Sequence, residues 1–199
     1  MTKKIFFTAA LIVSFLITTN GQTNSSQNSK DRISDKSLGI SFIKEGSVTQ
    51  SGNNTYNIVL SSSATAHVSA VNKLFVDLPG SYGGRVYFDS PVGEKMMHNR
   101  ILIDSVNTGQ QKLKREYWAV YGGMGMWDCV INCYTYINGK YYIVSMVQDK
   151  MIGKPGEIRN GKHVSSTELK MKILSSLKDT TNTVVKKFNN LLTSFQIQK

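Results

Sequence analysis

The sequence predicts an α+β fold: an antiparallel β-sheet meander covered by helices, with a C-terminal amphipathic helix packed on the sheet. The first observation is Asn138-Gly139, which lies between two β-rich runs, Met126 to Ile137 and Lys140 to Val147. An Asn-Gly pair readily adopts the positive φ angles of a type I′ hairpin turn. The second observation is an apolar helical stripe that starts near Thr181 or Asn182. Its members are Val184, Val185, Phe188, Leu191, Leu192 and Phe195.

The two-residue turn fixes the register of the hairpin, because successive side chains alternate between the two faces of a strand. It pairs Ile137 with Lys140, Tyr136 with Tyr141, Tyr134 with Ile143 and Cys133 with Val144. One face then carries Cys129, Ile131, Cys133, Val144 and Met146. The other face carries Val130, Tyr134, Tyr136, Tyr141, Ile143 and Val147. Both faces are substantially apolar, which predicts a central hairpin covered on both sides.

Other short strands are indicated by β-branched and aromatic residues between turn residues. They are predicted at Leu38–Ile43, Tyr56–Leu60, Arg85–Phe88, Arg100–Ile103 and Glu116–Tyr121. The polar stretch from Asp104 to Gln111 is typical of an exposed loop. The glycine cluster from Gly122 to Gly125 lacks the Lys-Ser/Thr pair of a phosphate-binding loop, so we interpret it as a tight connection.

Two segments leave alternatives open. Between Thr65 and Leu78 the apolar residues recur at helical spacing before Pro79-Gly80, which predicts a helix, with a strand from Leu74 to Val76 as the alternative. Ser165 to Glu168 has the spacing of a capping box ahead of a helix over Leu169 to Leu177. Leu169, Met171 and Ile173 also alternate as in a strand.

The first 21 residues have the pattern of a cleavable signal peptide. Lys3 and Lys4 precede an uncharged apolar run from Ile5 to Ile17, and small and polar residues lead to a plausible cut before Gln22. The run is too short to cross a bilayer as a helix, and no later stretch is apolar and long enough. The sequence therefore predicts an exported protein, periplasmic or extracellular after cleavage, with no transmembrane segment in the mature chain.

After the leader, residues 22–36 are polar and charged and are predicted to form a disordered tether. Residues 37–199 are predicted to form a single α+β domain. The leader contains two of the 24 basic residues, which leaves 22 against 13 acidic ones and a net charge of +9. Such a chain is attracted to an acidic protein or another anionic envelope component. Lysines that only keep the surface solvated are the alternative, and the scattered charges do not favour nucleic acid.

The two cysteines are predicted to stay free. Residues four apart on one regular strand lie about 13 Å apart, whereas a disulfide requires Cα atoms within about 7 Å. Cys129 and Cys133 therefore cannot pair unless the strand is interrupted. We expect both to act as small buried apolar side chains.

The sequence contains no clear metal-binding or catalytic motif. His67, His98 and His163 are isolated in the sequence, so we expect no metal site, and nothing predicts a cofactor. There is no Gly-x-Ser-x-Gly nucleophile elbow. Asp128 is the one carboxylate that we place in a possible cleft, although no second carboxylate is spaced to form an acid–base pair with it.

Aromatic residues are concentrated between Tyr117 and Tyr142. Aromatic rings on an exposed sheet face can stack on sugars or bases, while neighbouring cations hold an anion. The alternative is that the rings pair across strands beneath covering helices. If a binding face exists, we expect it to contain Tyr117, Tyr121, Trp127 and Asp128 beside the glycine connection.

The order of elements resembles the PsbP- and DcrB-like α/β/α sandwich family. The segments that carry the resemblance are a first strand pair beginning at Lys36–Phe42, a helix, an antiparallel meander and a last helix ending at Leu191–Phe195. The resemblance implies a noncatalytic accessory or partner-binding role, often outside the cytoplasm. It transfers no functional residue, because no site motif is matched.

The resulting hypothesis is an exported, noncatalytic protein that binds a partner protein or an envelope component, in an accessory or an inhibitor or immunity-type role. The alternative is a small secreted hydrolase that acts on an acidic polymer, with Asp128 or a histidine in a cleft.

Overall fold

A long antiparallel hairpin occupies the middle of the main sheet. The computed structural model describes residues 31–52, 54–78, 84–123, 126–152, 158–159, 162–163 and 166–198. For residues 121–126 and 150–166 it describes at most the backbone. Residues Arg32–Lys199 form one compact unit. The predicted leader lies outside the described residues, as does most of the predicted tether.

The strands are β1 (Arg32–Asp35), β2 (Ile40–Ile43), β3 (Ser47–Ser51), β4 (Thr55–Ser61), β5 (Ala64–Val71), β6 (Phe75–Leu78), β7 (Gly84–Tyr87), β8 (Arg100–Asn107), β9 (Lys112–Gly123), β10 (Met126–Ile137), β11 (Lys140–Ile152), β12 (Ile158–Arg159), β13 (Lys162–His163) and β14 (Gln196–Ile197). The helices are α1 (Pro91–Met96), α2 (Ser166–Lys178) and α3 (Thr183–Ser194), and a 3-10 turn covers Met97–Asn99.

Seven strands form the main sheet in the order β3-β4-β5-β11-β10-β9-β8, all paired antiparallel. A three-stranded sheet has the order β1-β2-β14, while β6 pairs with β7 and β12 with β13. The chain therefore has the predicted α+β fold, with the β10–β11 hairpin central in its sheet.

The predicted hairpin register is confirmed. Ile137 pairs with Lys140, Tyr136 with Tyr141, Tyr134 with Ile143 and Cys133 with Val144. Asn138 and Gly139 have φ angles of 51° and 80°, as a type I′ turn requires.

The two faces of the hairpin contact two separate apolar clusters. The main core takes Cys129, Ile131, Cys133, Val144 and Met146, together with apolar residues of β2, β5, α2 and α3. The second core contains Val130 and Val147 of the hairpin and Trp118 and Val120 of β9. Strands β6 and β7 add Val76, Leu78 and Val86 to it, and the partly buried Phe88, Met96 and Met97 pack against it. Burial on both faces explains why the hairpin sequence lacks a polar side.

Helix α3 begins where the sequence predicts. Asn182 is its N-cap, and the Asn182 side chain accepts hydrogen bonds from the amides of Val184 and Val185. The residues that α3 buries, Val185, Phe188, Leu191 and Leu192, are four of the predicted stripe. The ambiguous segment before it is helical, because α2 spans Ser166–Lys178 and buries Leu169, Ile173 and Leu177 at helical spacing.

The helix predicted between Thr65 and Leu78 is wrong. The segment forms β5 and β6 instead, so the alternative strand near Leu74 to Val76 is the better prediction. Every second residue of β5 is buried: Ala64, Ala66, Val68 and Ala70. The alanines hid this alternation, since small residues do not stand out in an apolar pattern.

Two further boundaries differ from the predictions. The segment predicted as a tether to residue 36 contains β1, which pairs with β2; Arg32 donates to the side chains of Ser41 and Gln196. Strand β8 continues to Asn107, into the stretch predicted as a loop from Asp104 to Gln111. Ladder pairing with β9 overrides the polar composition there.

Within the described part of the chain, no helix is long and apolar enough to span a membrane.

We expect Gly139→Ala to lower the free energy of unfolding by about 1–2 kcal/mol, because an L-residue is strained at a positive φ. A Cβ at Gly139 would meet nothing within 4 Å, so the cost comes from the backbone alone. Gly109 is the matched control, since its added Cβ also meets open space but its φ is not positive. Urea denaturation of both variants checks the prediction. An equal loss for Gly109→Ala would contradict it.

Candidate functional site

One end of the sheet face that carries the second core is not covered by any residue that the structure describes. Tyr134, Tyr136 and Tyr141 lie there, close to the hairpin turn. The cover reaches Phe88, whose ring lies 6.3 Å from the Tyr134 ring. Beyond it, Tyr136 has 60% of its surface exposed. Three aromatic side chains of one sheet face are therefore left at the edge of the cover.

These tyrosines line a groove of about 390 Å³. We call it the tyrosine groove, and its lining comprises Ser105, Lys112, Lys114, Tyr134, Tyr136 and Tyr141, completed by Asp104 and Thr135. The Tyr136 and Tyr141 ring centres lie 4.7 Å apart, and the rings are tilted by 48°. The Nζ atom of Lys114 lies 5.4 Å from the centre of the Tyr134 ring. Flat apolar rings thus stand beside two ammonium groups.

A buried carboxylate fixes one wall of this groove. Glu116 is fully buried in β9, and its Oε1 accepts hydrogen bonds from the Tyr134 hydroxyl at 3.0 Å and from Arg100 Nη1 at 3.2 Å. The same oxygen forms an ion pair with Lys114 Nζ at 3.1 Å. A buried charge is stable only when it is paired. Since Glu116 needs these partners, it holds Lys114 and Tyr134 in place.

The protonation states of the wall follow from these contacts. The contact with Tyr134 and the pairing with Glu116 raise the pKa of Lys114 above its ordinary value of 10.5. Burial raises the pKa of the Tyr134 hydroxyl above 10.0. At neutral pH the groove therefore presents an ammonium and a neutral phenol. The stabilisation by Lys114 is complete below its ordinary pKa and is lost as the pH rises through its raised value.

Next to Glu116, a row of polar residues crosses the sheet along directly paired positions. Glu116 of β9, Asn132 of β10 and Ser145 of β11 are buried, and His67 of β5 is half-buried. The Asn132 Nδ2 donates to the Phe75 carbonyl at 3.1 Å, which ties strand β6 to the sheet. Ser145 is fully buried, and its hydroxyl has no hydrogen-bond partner among the described residues. His67 Nδ1 shares a hydrogen bond with Asn57 Oδ1 at 2.8 Å. The row lacks the serine–histidine bond that activates a nucleophile.

Three of the four site residues expected from the sequence lie elsewhere. Tyr117 is only 2% exposed and belongs to the main core, on the face opposite the groove. Trp127 also packs in the main core, and Asp128 is buried. The backbone of Tyr121 pairs with Trp127, whereas its side chain lies outside the described residues. The described lining of the groove therefore contains neither Tyr117 nor Trp127 nor Asp128.

The signal that could have identified the groove is the register itself. It places Tyr134, Tyr136 and Tyr141 on one face next to the turn, where a covering element reaches least. The role of Glu116 had no such signal in the sequence, because its partners Arg100 and Tyr134 belong to two other strands, β8 and β10.

Both cysteines are buried and unpaired on β10, Cys129 opposite Gln148 and Cys133 opposite Val144. Burial raises the pKa of Cys129 to about 12 and raises that of Cys133 as well. Neither thiol is therefore a thiolate nucleophile at neutral pH.

Among the described residues, no group of three or more His, Cys, Asp or Glu side chains could hold a metal ion. The ring of His98 shares a hydrogen bond with the backbone carbonyl of Lys95. The side chain of His163 lies outside the described part of the chain.

No protein-family model and no curated protein sequence matches the chain. Solved structures with a similar architecture include a Bacteroides thetaiotaomicron protein, with a TM-score of 0.41 and 11% identity over 85% of this chain and 48% of the other. The chain thus spans about half the length of that structure. The Saccharomyces cerevisiae Ran-binding protein Mog1p has a TM-score of 0.41 and 6% identity over 83% and 94% of the two chains.

A cyanobacterial PsbP from Synechocystis sp. PCC 6803 has a TM-score of 0.37 and 13% identity over 83% of this chain and 91% of the other. The likeness is architectural. It agrees with the resemblance to the PsbP family that the order of elements indicates. At such TM-scores and identities it does not extend to function.

We expect Glu116→Gln to lower the free energy of unfolding by about 2 kcal/mol, since the charged hydrogen bonds to Arg100, Lys114 and Tyr134 are lost or weakened. The cost stays below that of a fully buried pair because Arg100 and Lys114 are partly exposed. Glu168→Gln is the control, since Glu168 is 57% exposed and pairs with Lys172 at 3.8 Å. Urea denaturation compares them, and equal effects would contradict the role of Glu116.

We expect iodoacetamide at pH 8 to modify Cys129 and Cys133 on the order of 100-fold more slowly in the native protein than in urea, because burial disfavours the thiolate. Mass spectrometry of modified peptides measures both rates. The raised pKa of Cys129 also makes the folded state lose stability as the pH rises above its ordinary value of 9.0. Native modification as fast as that in urea would show that the thiols are accessible.

Proposed function

We propose that the chain is an exported, noncatalytic protein that binds a partner protein or another anionic envelope component through the tyrosine groove. The observation that supports this most is the open end of the sheet face, where Tyr134, Tyr136 and Tyr141 stand beside Lys112 and Lys114. Tyrosines contribute much contact area for little conformational entropy, and they are enriched in protein interfaces.

The charge of the groove favours an acidic occupant. Lys112 is exposed, and Lys114 keeps 47% of its side chain exposed although it pairs with Glu116. The two carboxylates nearby are already engaged, Glu116 inside the sheet and Asp104 with Arg115 at 2.7 Å. Without Lys3 and Lys4 of the leader, the chain keeps 22 basic against 13 acidic residues, and this net charge of +9 adds long-range attraction for an anion.

The support beneath the groove suits binding rather than catalysis. The groove belongs to the central hairpin, whose other face packs in the main core. We take helix α3 to lie over that face as a fixed cover, because Phe188, Leu191 and Leu192 are buried in the same core. A rigid surface loses little entropy when it binds a partner.

Export belongs to the same proposal. Lys3, Lys4 and the apolar run from Ile5 to Ile17 form the signal peptide, and cleavage before Gln22 releases the binding domain outside the cytoplasm. The hydrolase alternative receives no support from the described residues, because Asp128 is buried rather than placed in a cleft.

The test is affinity capture from envelope extract with wild-type protein and the double variant Lys112→Gln/Tyr136→Ala. The matched control is Lys172→Gln/Met171→Ala, which removes a lysine and an exposed apolar side chain from α2. We expect the groove variant to retain at most about one tenth of the bound partner, as losses at interface hot spots do, and the control to retain nearly all of it.

Quantitative mass spectrometry identifies a protein partner, and binding to phosphatidylglycerol vesicles tests an anionic lipid surface separately. The intact mass of the purified protein checks cleavage before Gln22. Equal capture by wild type and groove variant would overturn the assignment of the groove.

A further inference from the structure

The last strand of the main sheet, β8, borders the tyrosine groove with its main chain. Asp104 and Ser105 both line the groove, although successive side chains of a strand point to opposite faces. The Asp104 carboxylate is engaged on the opposite face, where Arg115 donates to its two oxygens at 2.7 and 2.9 Å. Helix α2 also approaches β8 from that face, since Lys178 Nζ lies 3.9 Å from the same carboxylate. Asp104 therefore borders the groove with its backbone.

The outer side of β8 has no neighbouring strand among the described residues. The backbone groups directed to that side follow from the connection to β9. The N–H of Thr108 donates to the Gln111 carbonyl at 2.7 Å, so the adjacent pair of Asn107 and Lys112 is not itself hydrogen-bonded. Hydrogen-bonded and non-hydrogen-bonded pairs then alternate along the ladder. The residues whose N–H and C=O groups point away from β9 are therefore Ile103, Ser105 and Asn107.

This stretch of edge lacks the features that keep many sheet edges from pairing. From Leu102 to Asn107 the register with β9 is regular, and the stretch contains neither proline nor lysine. Its one charged residue, Asp104, is held by Arg115 on the opposite face. Ile103 is 45% exposed, and Ser105 is exposed as well. The edge can therefore accept a further strand from the side of the groove.

The cations of the groove lie one strand inward from this edge. Lys114 pairs with Ser105 and Lys112 pairs with Asn107, so all four side chains point to the groove face. An added strand lies two strand spacings, about 10 Å, from β9. Because Ser105 is small, a lysine and a carboxylate can meet above it across this gap. An extended segment with acidic side chains on alternate residues thus matches both the unpaired backbone groups and the ammonium groups.

We propose that the groove binds an extended acidic segment of a partner protein, which pairs with β8 as an eighth strand of the main sheet. This inference rests on the proposed function and specifies its partner. Main-chain hydrogen bonds to Ile103, Ser105 and Asn107 supply affinity. Alternate side chains that reach Lys112 and Lys114 supply selectivity for an acidic sequence.

The test is a titration with an end-blocked nine-residue peptide of alternating glutamate and threonine, followed by the exchange of individual amides. In the free protein we expect fast exchange at Ile103, Ser105 and Asn107, whereas the ladder protects Asp104 and Val106. The peptide should bind saturably and slow exchange at the three outward amides at least about tenfold. A peptide with glutamine in place of every glutamate should bind at least about tenfold more weakly.

Ser105→Pro and Ser105→Ala form a matched pair of variants. Proline removes the outward N–H but no ladder hydrogen bond, as an edge strand tolerates. It should weaken peptide binding at least about fivefold. Alanine keeps the N–H and should bind the peptide within about twofold of the wild-type protein. Thermal unfolding shows whether each variant is folded, and the amide exchange of the wild-type protein decides the case if the proline variant is not.

The proposal is overturned if the peptide does not saturate, if the outward amides are already protected in the free protein, or if proline and alanine weaken binding equally. Binding of phosphatidylglycerol vesicles that leaves these amides unprotected also overturns it, since the occupant is then a lipid surface. In each case the proposed function stands as long as Lys112→Gln/Tyr136→Ala loses the captured partner. Equal capture by wild-type protein and that double variant overturns the proposed function itself.

Discussion

The register of the β10–β11 hairpin is the constraint on which the rest of the structure depends. Because strand side chains alternate, a shift by one residue would exchange the two faces. Cys133 and Val144 would leave the main core, and Tyr136 would enter it. The positive φ angles of the Asn138-Gly139 turn hold this register locally. Burial on both faces then gives it a free-energy advantage that no exposed hairpin has.

The candidate binding surface depends on strand β9, which lies beside that hairpin. Lys114 and Arg115 are neighbours in β9 but face opposite sides of the sheet. Lys114 is held by the buried carboxylate of Glu116 at the tyrosine groove, and Arg115 is held by Asp104 on the opposite face of the sheet. In both places a carboxylate positions a cation next to a tyrosine ring. The sheet thus separates two cations, each of which is held in place by a carboxylate.

The sequence predicted those parts of the fold that depend on neighbouring residues in the chain. The Asn-Gly turn determined the hairpin register, and Asn182 ahead of an apolar stripe located the last helix. Strand β5 was missed because Ala64, Ala66 and Ala70 mask a period-two pattern, and only its position between β4 and β11 makes them core residues. Which aromatic residues are exposed at the candidate site depends on the elements that pack over the sheet, and the local sequence does not show this. Tyr117 and Tyr134 look alike in sequence, but α2 and the main core bury one, while the other lies where the cover ends at Phe88.

Native-state hydrogen exchange of the β10–β11 amides tests most directly whether this hairpin is the rigid centre of the molecule. The central position between β5 and β9 predicts that amides from Tyr134 to Ile143 inside the ladder exchange only through global unfolding, with the same dependence on urea as the rest of the hairpin. Exchange there through local opening, at a free energy well below that of global unfolding, would contradict the claim that the tyrosine groove stands on a fixed support.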